Sequence, residues 1–178
     1  TAIMRIGAQV GDIVGITNYV GYAATGLGAL SYNLDGYHMT KVGHQRPDPQ
    51  IELGQQLRQL GIHSMNDISD GLGSELNEIA SASNVSIVIE EKAIPLHEET
   101  YELAKYLQTN PVDYALYGGE DFQLVFTAPK SLLSKLENLA GITIIGEVVS
   151  GPAQVQMVTP DKTIKTIEAK GYNHFHES

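Results

Sequence analysis

Two short stretches hold side chains whose types and spacing could do chemistry. In Tyr117-Gly118-Gly119-Glu120-Asp121-Phe122-Gln123-Leu124, two glycines and two adjacent acids run into the apolar alternation Phe122, Leu124, Phe126. Glycine lets backbone approach a ligand or take a positive φ. Carboxylates offer hard oxygen ligands for a cation, or acceptors for N–H groups. A turn with solvated acids before an ordinary strand accounts for the same octet. The second stretch is Asn66-Asp67-Ile68-Ser69-Asp70-Gly71-Leu72. Asp67 and Ser69 share one side if the segment is extended, and Asp70 falls at the turn where a helix begins. Two carboxylates and a hydroxyl at such a junction suit octahedral magnesium, which takes few carboxylates and fills its shell with phosphate oxygens and water. Free N–H groups at a helix start also favour an anion. Capping by Ser69 or Asp70 is the structural alternative. It explains one polar residue but not both acids, and no Glu or Gln stands three residues on to complete a capping box.

Other candidates carry weaker signals. Gly26-Leu27-Gly28 lacks the remaining glycine of a dinucleotide fingerprint and the Gly-Lys-Ser/Thr of a phosphate loop, so close helix packing explains it better. Arg46, between His44-Gln45 and Pro47, suits a phosphate or a solvated loop. His174 and His176 have a spacing that fits a metal or simple exposure near a terminus. Tyr172 and Phe175 fit stacking on a flat ring or packing on a domain edge. No nucleophile elbow accompanies the histidines and serines.

Composition narrows the partners. The 178 residues include 11 basic and 21 acidic side chains, a net charge of −10, with no dense basic run, so a nucleic-acid backbone is not an expected partner. An acidic chain can still take phosphorylated ligands when metal ions lie between the two sets of charge. The absence of cysteine excludes disulfides, thiolate zinc sites and a cysteine nucleophile, and fits a reducing compartment. No apolar run reaches membrane-spanning length, and Thr1-Ala2-Ile3-Met4-Arg5 lacks a signal peptide's apolar core. A cytoplasmic protein with no membrane partner is the expectation. The first residues read like the middle of a fold, which suggests a segment upstream.

The elements that must position the two stretches follow from periodicity. Gly7 to Asp12 reads as a turn and Ile13 to Thr17 as a strand. Ala23, Leu27, Leu30 and Leu34 predict a helix ending at Asp35-Gly36, and Leu53, Leu57 and Leu60 a second, closed by Gly61. Pro47 and Pro49 keep the intervening chain from being helical. Ser64 to Ser69 reads as extended, and Leu72, Leu76, Ile79 and Ala80 as an amphipathic helix. Val85 to Ile89 is a strand and Glu98 to Leu107 a helix. Ala115-Leu116 and Phe122 to Thr127 are strand candidates flanking the glycines. Pro129 opens a helix that ends at Gly141, Ile142 to Val149 is a strand, and Val155 to Val158 with Thr163 to Ile167 form a hairpin. Interleaved helices and a strand-rich end predict one α+β domain, a mixed sheet packed with helices.

Together these segments resemble the C-terminal half of thiamine-monophosphate kinase, a family within the aminoimidazole-ribotide synthetase-like superfamily. The resemblance rests on Gly7 to Asp12, Arg46-Pro47-Asp48-Pro49 with Ile51-Glu52-Leu53-Gly54, Asp67 to Leu72, Tyr117 to Leu124 and the tail Gly171-Tyr172-Asn173-His174-Phe175, in family order. It implies ATP- and Mg2+-dependent phosphorylation of thiamine monophosphate to thiamine diphosphate. It also implies metal ligation by Asp67 and Asp70, an ATP contact at Ser69, and thiamine contacts at Glu120 and Tyr172. Residues 1–178 would then be a single substrate-binding domain, inactive without the N-terminal nucleotide-binding domain that supplies most metal-binding aspartates and the homodimer interface. The chain departs from the family at Gly21-Tyr22-Ala23, where Gly-Asp-Ser is usual, and at Gly43-His44-Gln45, where a basic residue often precedes Arg-Pro. A non-catalytic binding domain for a thiamine phosphate or a partner chain, and another ATP-using member of the superfamily, are the rival readings.

Overall fold

The computed structural model describes residues 7–169. Within them, seven strands form one sheet in the order β2-β4-β1-β5-β3-β6-β7. They are β1 (Ile13–Thr17), β2 (Ser64–Asp67), β3 (Ser86–Glu90), β4 (Leu124–Ala128), β5 (Ile142–Val149), β6 (Gln154–Val158) and β7 (Ile164–Ile167). The β3–β6 pair is parallel and every other neighbour antiparallel. Side chains alternate across the sheet, so each strand can serve two cores. Val14, Ile16 and Val125 enter one apolar cluster, while Ile13, Leu124 and Phe126 enter another. The mixed α+β architecture follows the sequence expectation.

Among the described residues seven α-helices surround the sheet: α1 (Tyr22–Ser31), α2 (His38–Gln45), α3 (Ile51–Leu60), α4 (Leu72–Ser83), α5 (Glu98–Leu107), α6 (Pro111–Tyr117) and α7 (Leu133–Glu137). The first cluster takes Leu72, Leu76 and Ile79 of α4 with Val112, Ala115 and Leu116 of α6. The second takes Leu57 of α3 and Leu136 of α7. A third, from Ala24, Leu103, Ala104 and Tyr114, joins α1, α5 and α6. Gly26 lets α1 and α2 touch, since a Cβ there would run into the Thr40 backbone. That bears out packing as the reason for Gly26-Leu27-Gly28. No helix among the described residues is long and apolar enough to cross a membrane.

Three elements differ from the sequence reading. Ala115-Leu116 is helical, not a strand: Asn110 Oδ1 accepts from Val112 N at 3.3 Å, Pro111 occupies the first turn, and Val112, Ala115 and Leu116 bury one face. Helix α2 has no apolar period of its own, with Thr40 its one buried residue, and its stability comes from neighbours. Pro129 leads into a short 3-10 turn, Lys130–Leu132, before α7.

Candidate functional site

The two chemistry-bearing stretches are hydrogen-bonded to one another. Strands β2 and β4 pair antiparallel as far as Asp67 opposite Leu124. Beyond that, Ile68 N donates to Gln123 O (2.8 Å), Phe122 N to Ile68 O (3.3 Å) and Glu120 N to Ser69 O (2.7 Å). Both Glu120 and Phe122 take left-handed backbone, with φ of 63° and 55°. Non-glycine residues rarely hold that conformation, and where they do the surroundings impose it. Here the imposing contacts are the ladder to Ile68 and Ser69.

The glycines serve close contact between backbone segments. A Cβ on Gly119 would lie 2.5 Å from Ser69 O, and one on Gly118 would meet Ala24 and the Tyr114 carbonyl. Gly71, with φ 98°, abuts the Leu116 carbonyl, where a Cβ would come within 2.6 Å. These contacts let the two loops and α6 meet without intervening side chains.

A cavity of about 250 Å³ opens beside this junction. Its walls are Ala23, Ala24 and Leu27 of α1 and His44 of α2, and its polar side is Ser69, Asp70, Gly119 and Glu120. Three of the five expected site residues therefore meet at one place. Asp67 faces elsewhere, into a second cavity of about 350 Å³ shared with Asn66, Gln50, Gln55 and Arg58. Tyr172 lies outside the described residues, as do Phe175, His174 and His176. Arg46 is exposed and lines a third cavity with Tyr22 and Gln123.

Capping does not account for the acids of the Asn66–Leu72 stretch. Gly71 occupies the N-cap of α4, with no side-chain cap there. Asp67 and Asp70 are exposed while Ile68 between them is buried, and neither carboxylate has a hydrogen-bond or ion-pair partner among the described residues. Such free hard oxygens fit magnesium, which needs only one or two carboxylates when phosphate and water complete its shell. Among the described residues no three His, Asp or Glu side chains converge as a metal cage, so any such ion would draw further ligands from outside them.

Two acids beneath the surface were not given roles by the sequence. Glu75, on α4, is buried; its Oε2 accepts from Asn66 Nδ2 and its Oε1 from Ser69 Oγ at 3.3 Å. Asp121 is 6% exposed, and its two oxygens accept from Gly21 N (2.7 Å) and Ala23 N (3.0 Å) at the start of α1. Helix α1 has no cap from its own N-cap residue, left-handed Gly21, so Asp121 caps it from a hundred residues away. Burial pushes the Asp121 carboxyl up to about 7, against the pull of the Ala23, Gly21 and Tyr22 N–H groups. Glu99 does the same for α2: Thr40 N and Oγ1 donate to it at 2.9 and 2.8 Å. Burial would raise the Glu99 pKa, but the Thr40 hydrogen bonds outweigh it and hold it below the usual range. Both cavity helices are thus fixed by acids from other elements. The wall residue His44 was noted in the sequence only as a departure. No periodicity marks the roles of Asp121 and Glu99, because each depends on a contact distant in the chain.

Comparison with known proteins places this architecture. The model of the AIR synthase related protein, C-terminal domain, matches residues 10–158. The chain belongs to that family. It is 35% identical over 185 residues to the thiamine-monophosphate kinase of Bacillus subtilis (strain 168), covering 98% of this chain and 56% of the relative. With the enzyme of Aquifex aeolicus (strain VF5) it shares 34% over 175 residues, covering 96% and 54%. The chain spans about half the length of these curated relatives. Among solved structures, "AaThiL complexed with AMPPCP and TMP" superposes with a TM-score of 0.82 at 32% identity, covering 96% of this chain and 53% of that one. The hydrogenase maturation protein HypE of E. coli matches at TM-score 0.77 and 21% identity over 94% of this chain and 52% of its own, a likeness of fold alone.

Proposed function

We propose that this chain is the substrate-binding C-terminal half of a thiamine-monophosphate kinase, an ATP- and Mg2+-dependent enzyme that makes thiamine diphosphate. One observation carries the reading: the Glu120 N to Ser69 O bond joins the acidic loop to the strand–helix junction at the rim of a single cavity. A thiamine phosphate combines an aromatic aminopyrimidine, a cationic thiazolium and an anionic tail. Glu120 supplies an acceptor for the amino group or a counter-charge for the ring, with Tyr172 the aromatic partner. Ser69 contacts ATP, and Asp67 and Asp70 hold Mg2+. Their opening onto separate cavities fits more than one ion or one extended polyphosphate. Bound there, magnesium would neutralise phosphate charge, which phosphoryl transfer needs more than a protein nucleophile.

The chain covers 56% of its Bacillus subtilis relative, which leaves room in this reading for an N-terminal nucleotide-binding half that would carry the remaining metal ligands and the homodimer interface. The chain's cysteine-free composition suits a cytoplasmic enzyme. Joined to such a half, the chain should convert thiamine monophosphate to the diphosphate with MgATP, and alone it should only bind. Calorimetry on the 178-residue chain compares thiamine monophosphate binding with that of Glu120→Ala. Equal affinities would sink the thiamine assignment.

A second reading, a domain that binds a thiamine phosphate without transferring phosphate, draws on Tyr22 and Ala23, which replace an acid and a hydroxyl usual in the family. Failure of the joined protein to turn over, with binding intact, would favour it.

A further inference from the structure

Asp121 sits between two residues of left-handed backbone, Glu120 and Phe122. The chain therefore turns twice within three residues. One outcome is that adjacent acids diverge: Glu120 is exposed at the cavity and Asp121 is buried against α1. The bonds from Gly21 N and Ala23 N to Asp121 tie this loop to the first turn of α1, the helix that supplies Ala23, Ala24 and Leu27 to the cavity wall. On the other side, Glu120 N and Phe122 N hold the loop to Ser69 and Ile68. The loop is clamped from both sides, and the Asp121 carboxylate makes the hydrogen bonds of the α1 clamp.

We propose that Asp121 is a positioning residue for the substrate cavity, locking the α1 wall to Glu120 so that wall and carboxylate face one ligand at a fixed separation. The inference rests on the reading of Glu120 as the substrate contact. Capping alone would stabilise α1 without coupling Asp121 to Glu120, and that difference is measurable.

The test is a double-mutant cycle on the 178-residue chain, with thiamine monophosphate as the calorimetric probe. Asp121→Asn should weaken binding about tenfold in the native background and not at all in the Glu120→Ala background, as expected when one residue acts through another. Asp12→Asn removes an equally buried acid, paired with His63 at 2.8 Å, and serves as the stability control that leaves binding unchanged. Losses that add across the cycle, or an Asp121→Asn chain that binds like the native one, overturn the proposal while leaving Glu120 in its role. A Glu120→Ala chain that binds normally, or a native chain that does not bind, overturns both. A ligand-free measurement stands beside these: hydrogen exchange at the Glu120 amide should quicken in Asp121→Asn, or in Asp121→Glu should the former fail to fold, and not in Asp12→Asn. Unchanged protection at that amide would also end the proposal.

Discussion

Two ranks of acidic side chains lie within a few residues of each other and live under opposite conditions. Asp67, Asp70 and Glu120 form an outer rank, exposed at the cavities, where neither Asp67 nor Asp70 has a partner among the described residues. Glu75 and Asp121 form an inner rank, buried and engaged by Asn66, Ser69, Gly21 and Ala23. A carboxylate out of water is costly unless hydrogen bonds replace its hydration. The inner acids therefore hold the architecture in place. The outer acids retain hydration that only a cation or ligand would displace. One short stretch of sequence carries both kinds, and the pattern of residues alone does not separate them.

The sharpest way to break this contrast is pH. Asp121 has a carboxyl pKa raised by burial to about 7, against the ordinary 3.8 that it regains on unfolding. The folded state thus binds the proton more tightly. The stabilisation this gives is complete below about pH 4, is lost as pH climbs towards 7, and changes little above. The stability advantage of the native chain over Asp121→Asn should shrink across that window by on the order of 4 kcal/mol. Urea unfolding of both proteins between pH 4 and 8 measures it. A gap that widens with pH would mean that the three N–H groups, not burial, govern Asp121.

Glu75 should show the next largest effect. Glu75→Ala removes the acceptor of the Asn66 amide and the Ser69 hydroxyl in a buried setting, and should cost about 2 kcal/mol of unfolding free energy. Glu75→Gln keeps the shape and one acceptor, and should recover part of the loss. A Glu75→Ala protein as stable as the native one would place Glu75 in the outer rank after all.

How much of this could be read from sequence varies by element, for physical reasons. Helix α5 spans Glu98–Leu107 as its pattern predicted, and β1 and β5 match their apolar runs residue for residue. The β6–β7 hairpin was equally plain, since Thr159-Pro160-Asp161-Lys162 can only turn and the flanks alternate. In each case the signal is local. Helix α6 was misread because Ala115-Leu116 is too short an apolar run to show a period, and its stop at Gly118 looks the same from a strand. Of the site, the residue types at Ser69, Asp70 and Glu120 were legible, and so was the chemistry they suit. Their meeting was not, because it depends on β2 pairing with β4 across more than fifty residues. Nor was the separation of Asp67 from Asp70: along an extended strand and a turn they look like one ligand set, yet they open onto different cavities.

The smallest effect in stability is the most telling about the outer rank. Asp67→Asn and Asp70→Asn delete charges that have no partner among the described residues, so each should change the unfolding free energy by no more than about 0.5 kcal/mol. Their cost should appear only with the ligand. Millimolar Mg2+ with an ATP analogue should raise the melting temperature of the chain joined to its nucleotide-binding half, because a ligand that binds only the folded state stabilises it by mass action. Each substitution should reduce that rise. If Asp67→Asn reduces it and Asp70→Asn does not, the ion belongs to the cavity of Arg58 and Asn66, and Asp70 serves the thiamine side. If both lower stability without any ligand, the two carboxylates are structural, and the division between the ranks fails where it was drawn most firmly.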